Sequence, residues 1–127
     1  MSASDYLENK VLDHVLGTTS YSQPTPYVAL FTSGTGLETN SPADEVTGTG
    51  YSRQTVTFNA SSGGTATNDG AVQFTATVSW GTVTHMAIMD ASSSGNVLFH
   101  SALTSSKTID ASSTFQFNDE TISITLT

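Results

Sequence analysis

The chain has 127 residues, a formal net charge of −8 and no cysteine. That length suits one domain with a single core. Eleven acidic residues against three basic ones leave no basic stripe for phosphates, so nucleic acid is not an expected partner, and the lack of thiols removes disulfides, thiolate zinc sites and cysteine nucleophiles together.

Charged residues make up 11% of the sequence, against roughly 25% in ordinary soluble domains, and Ser and Thr carry much of the polarity instead. The 36% hydrophobic content is laid out in ordered alternation, which argues for a folded β protein and against disorder. No apolar run approaches the roughly 20 residues of a membrane helix, and no basic segment followed by an apolar one opens the chain. Neither membrane insertion nor secretion is expected.

Residues 1–17 read as the only helix: Leu7, Val11, Leu12, Val15 and Leu16 recur at helical spacing, with Ser4 or Asp5 as cap and Gly17 as stop. Asp5 and Glu8 favour the positive end of its dipole. About three turns do not stand alone in water, so Leu7 and Val11 should dock it, on the domain's own sheet or on a neighbour. Pro24 and Pro26 mark a linker. The run Tyr27–Thr32 reads as a strand with apolar residues on both faces.

Residues 33–50 form a long acidic loop with Gly34, Gly36, Gly48 and Gly50 as hinges, and a loop of that length in a small domain is a candidate contact surface. Tyr51–Phe58 is the next predicted strand, followed by a Ser-Gly turn at 61–64 and an Asn68-Asp69-Gly70 turn whose residues tolerate positive φ. Val72 to Trp80 alternates with a period of two, the mark of one buried and one wet face. In Val83–Asp90, Val83, Ala87 and Met89 fall on one face and Met86 and Ile88 on the other. A sandwich core covers one face of a strand, so the second needs the helix, a loop or another chain, which hints at oligomerisation through Met86 and Ile88. Strands are further expected at Val97–Leu103, at Thr108–Ile109, at Phe115–Phe117 and from Ile122 to Leu126. Many short strands, turn signals between them and one N-terminal helix predict an all-β, antiparallel β-sandwich of jelly-roll type.

Candidate chemistry is sparse. His85 and His100 on neighbouring strands could approach a metal, but no third ligand follows at a recognisable spacing, and a hydrogen-bonded core or interface role suits both better. Serine occurs without a Gly-x-Ser-x-Gly elbow. Glu38, Asp44 and Glu45 could form an acid pair or a weak calcium site, without EF-hand spacing; a solvated loop is the plainer reading. Arg53, the only arginine, lies beside Tyr51 and invites a carboxylate from the acidic loop or from another subunit, because a guanidinium fork makes paired hydrogen bonds. No catalytic residue, metal or cofactor is expected.

The order LDHVLG, YVALFT, an acidic Gly-rich loop, YSRQTVTF, WGTVTHMAIMD and VLFHSALTSSKTI resembles a family of small tailed-phage virion proteins commonly labelled tail-fibre proteins; similar small sandwiches serve as capsid cement. The resemblance implies a structural, non-enzymatic role in the virion, assembled in the host cytoplasm. Two placements follow from it. A homotrimer could decorate the head by clamping the major capsid protein, or the chain could be a tail-fibre or baseplate module for host attachment. A glycan-acting enzyme is the outside alternative. No shaft repeat or coiled coil is present, which favours decoration. The expected contact residues are those of the helix, the acidic loop, Tyr51 and Arg53, and His85, Met86 and Ile88.

Overall fold

In the computed structural model, which describes all 127 residues, β1 (Ser2–Ala3) leads into α1 (Asp5–Val15). Ser4 is the N-cap: its hydroxyl accepts from the Leu7 amide at 3.2 Å and donates to the Val97 carbonyl, so the cap also ties the helix to the sheet. Gly17, at φ +84°, closes the other end, and bonds from Gly17 N to His14 O and from Thr18 N to Asp13 O complete a Schellman stop.

The remaining elements are β2 (Tyr27–Phe31), β3 (Gln54–Thr55), β4 (Thr65–Thr67), β5 (Val72–Thr75), β6 (Gly81–Met89), β7 (Val97–Ile109), β8 (Thr114–Phe117) and β9 (Ser123–Thr125). They pair antiparallel as one sheet in the order β1-β7-β6-β2-β3 and as two separate ladders, β4-β9 and β5-β8. Val28 and Leu30 of β2, Met86 and Ile88 of β6 and Leu98 of β7 pack against Val72, Phe74, Ile122 and Ile124 from the side of the ladders. The fold is therefore all-β, with two layers of unequal width and one short helix. The eight-stranded jelly-roll wiring is not established by these pairings. Threonines face each other across exposed pairs, Thr65 with Thr125 at 2.9 Å and Thr82 with Thr108 at 3.0 Å, which gives the hydroxyl-rich surface a structural use.

The second face of the large sheet carries Ala29, Phe31, Ala87, Met89 and Val97, all fully buried. Leu37, from the 33–50 segment, covers them and is itself 0% exposed. The doubly apolar character of β2 and β6 thus comes from the chain's own loop lying over the sheet, and it does not require a neighbour. Met86 and Ile88 belong to the core between the layers, which removes them as contact residues. The strand also differs in detail from a straight alternation: its register with β7 slips between Val83 and His85, and Val83 joins the cluster of Met86 and Ile88.

Three other expectations are corrected. Of the strand expected at Tyr51–Phe58, only Gln54 and Thr55 form a ladder, because Tyr51 and Arg53 turn inward to hydrogen bonds with loops. Val72–Trp80 is a strand only to Thr75; Val78 is exposed, and Trp80 joins the same core from outside the ladder, with its indole N–H donating to the Thr49 carbonyl at 3.2 Å. The stretch from Val97 runs without a break to Ile109 as β7.

Candidate functional site

Two regions carry the residues singled out by sequence. The first is a polar latch. Arg53 meets Glu45 in a paired fork, Nε to Oε2 and Nη2 to Oε1, both 2.8 Å, and its Nη1 donates to the carbonyls of Ala91 at 2.8 Å and Ser94 at 2.7 Å. The Tyr51 hydroxyl donates to Glu45 Oε2 at 2.7 Å and accepts from the Leu30 amide at 3.0 Å. One guanidinium therefore joins the acidic loop, the 91–94 turn and, through Tyr51, strand β2. The Arg53 side chain is 5% exposed and that of Glu45 26%. Burial pushes the Tyr51 hydroxyl far above the ordinary tyrosine range; the Leu30 bond opposes this, and the Glu45 charge adds to it. Arg53 is held above its usual value chiefly by its bond to Glu45.

A second knot fastens the same loop. Asn40, at φ +58°, accepts from the Val97 amide at 2.8 Å and donates to Asn96 at 2.9 Å, while Asn96 bonds Asp90 through its amide N at 2.6 Å and its side chain at 2.9 Å. The glycines expected as hinges are close-packing points instead: a Cβ at Gly34 would strike the His85 ring, one at Gly48 the Trp80 ring, and one at Gly36 the Ser41 carbonyl. The 33–50 loop is a fixed lid.

The acids of that loop do not converge. Glu38 meets His100 Nε2 at 2.7 Å, Asp44 accepts from the Ser33 hydroxyl at 2.6 Å, and Glu45 is held by Arg53. Glu38 lies instead near Asp5 and Glu8, where the three exposed carboxylates come within 4.8 Å of one another. His85 sits opposite Ala102 and His100 opposite Ala87 across β6 and β7; His85 bonds Thr84 Oγ1 at 2.8 Å.

The second region is apolar and exposed. Leu7 is buried and docks the first turns of α1, but the stripe continues beyond that contact: Val11 is 38% exposed, Leu12 55%, Val15 71% and Leu16 73%. Leu126, 60% exposed, lies beside Val11 and Leu12 of this stripe. Phe99 and Leu126 line both the cleft under the helix and a neighbouring groove of about 320 Å³, walled by Pro24, Pro26, Phe58, Ala66 and Ile124. Of the predicted contact residues, Val11 alone belongs to this surface. Leu12, Val15 and Leu16 were visible as a helical stripe, yet nothing in the spacing tells which turns of the helix are docked.

The family model described as Podophage GP4 fiber I protein gp80 matches residues 2–125. This chain belongs to that family. No curated protein matches it at a significant level. A gp80-family protein is a tailed-phage virion protein, and its role is structural. The gp80-type chain described here fits such a role, because its most highly coordinated side chains, Arg53 and Asn68, bind backbone of their own chain. Asn68, fully buried, donates to the Gly70 and Asn118 carbonyls and accepts from the Ile122 amide, tying its own turn to the 118–122 segment. Sequence reading found this residue only as a turn former. No helix is long and apolar enough to cross a membrane.

Proposed function

We propose that this chain is a non-enzymatic building block of the virion, a compact module of a tail fibre whose loops are locked and whose outward contact is made by the exposed end of α1. The observation that carries this is the family match over residues 2–125, whose description is that of a fibre protein. The structure supports it in kind. The cation best placed to act on a ligand, Arg53, is engaged by Glu45 and two carbonyls, His85 is bonded to Thr84, and His100 is paired with the exposed Glu38. A fibre module must transmit load without deforming, and the Arg53 and Asn40 latches tie the longest loop to the sheet at two points.

A second reading, a decoration protein on the head that binds the major capsid protein, is favoured by the absence of a shaft: the chain has one short helix and no repeat from which an extended fibre would be built. Labelling the protein in intact particles and imaging them separates the two. Density on the tail or baseplate is expected. Density confined to the head would replace the fibre reading with decoration, and absence from particles would end both.

A further inference from the structure

The exposed end of α1 and the groove beside it lie on one surface, joined by Leu126. We infer that this surface binds a second copy of the same chain, the ridge of Leu12, Val15 and Leu16 of one copy entering the groove beside Leu126 of the other. Such assembly rests on the reading of the chain as a multi-copy virion subunit.

Area is the first reason. Val11, Leu12, Val15, Leu16 and Leu126 are between 38% and 73% exposed. At roughly 100 Å² of apolar surface apiece they present about 500 Å². A stable interface takes about 800 Å² from each partner, some 60% of it apolar, which is about the same amount. An apolar patch of this size is at the upper end of what a monomer leaves uncovered.

Fit is the second. Removing one leucine side chain from a core leaves a cavity of about 150 Å³, so the groove of about 320 Å³ takes about two aliphatic side chains. The ridge supplies side chains of that size within one helical turn. A surface carrying both a ridge and a groove can satisfy both with a copy of itself, as symmetric contacts do.

Charge is the third, and it disfavours a basic partner. The chain carries −8, yet no charged residue lines the groove, and Glu8 alone lines the cleft beside it. A basic partner would find almost nothing to pair with there, whereas a copy of this acidic chain can approach with its own uncharged patch foremost.

Sedimentation equilibrium of the full chain tests this, with Leu16→Glu on the ridge and Ser61→Arg on the groove wall; both sites are solvent-exposed, and circular dichroism should report parent-like folding. The parent should associate, and more tightly as salt rises, because salt screens the repulsion between acidic copies. Each single variant should weaken association about tenfold or more. Mixing the two variants should restore it in part, since the new carboxylate then meets the new guanidinium. A parent that stays monomeric at high concentration, or an oligomer indifferent to both substitutions, overturns the inference. Neither result bears on where particle labelling places the protein, so the two proposals fail separately.

Discussion

Arg53→Ala tests whether the latch holds the acidic loop. The lost guanidinium makes four bonds of 2.7 to 2.8 Å, two to Glu45 and two to backbone carbonyls, and its side chain is 5% exposed. Removing one member of a buried ion pair costs about 3–5 kcal/mol, because the other is left charged without a partner. Glu45 is 26% exposed, so water recovers part of that loss, and the lower end, about 3 kcal/mol, is expected. For a chain of this size the melting temperature should fall by roughly 10 °C. Urea unfolding followed through Trp80, the single tryptophan and 6% exposed, measures the change directly. Arg53→Lys should lose about half as much, since an ammonium keeps the charge and forfeits the fork. The double variant Arg53→Ala with Glu45→Ala should cost clearly less than the sum of the single losses. A loss under about 0.5 kcal/mol, or strict additivity of the two sites, would refute the latch.

Leu37→Ala opens a void over Phe31 and Met89 and should cost about 2–4 kcal/mol, with increased binding of an apolar dye if the lid lifts. Asn68→Ala strands the Ile122 amide in the interior and removes the bonds to the Gly70 and Asn118 carbonyls, and should cost about 1–3 kcal/mol by the same urea assay, whereas an exposed turn residue would cost little. Alkaline pH should destabilise the protein. The Tyr51 hydroxyl is raised above the ordinary value of 10.0, mainly by burial, and Tyr21 is raised too, by burial and then by Tyr6 and Asp90. Above about pH 10 the unfolded chain releases these protons while the folded chain keeps them, so stability is full below that pH and falls by up to about 1.4 kcal/mol per pH unit above it through Tyr51. Tyr51→Phe should flatten that fall; an equally steep decline in the variant would show that Tyr51 is not its source.

Much of this was legible because it is local. Helical spacing with Ser4 and Gly17 at the ends named α1, with the bounds 1–17 overrunning it by four residues at the start and two at the end, and the doubly apolar run at Tyr27–Phe31 named a strand covered on both sides. The pairing of Arg53 with a loop carboxylate was one of the arrangements chemistry allowed, beside a carboxylate of another subunit and a plain exposed edge charge, and the fold chose Glu45. Misreadings arose where distant contacts overrode local pattern. Tyr51 and Arg53 look like alternate strand positions, yet their bonds to the Leu30 amide of β2, to the Glu45 carboxylate and to the distant carbonyls of Ala91 and Ser94 outweigh the ladder that the alternation would have formed. Met86 and Ile88 looked like contact residues because the sequence shows that two faces need cover and does not show what covers them.

The chain's own order of side chains determined its class: period-two patterning, sparse charge and hydroxyl-rich turns permit an antiparallel sheet protein and little else. Tertiary structure decided which apolar residues are spent inside the molecule and which are left outside. Leu37, between Gly36 and Glu38, and Leu16, between Val15 and Gly17, each adjoin a glycine in a polar stretch, and one is 0% exposed while the other is 73%. Burial is set by what arrives from elsewhere in the chain. The lid folds back over Leu37's side of the sheet, and nothing folds back over the end of α1.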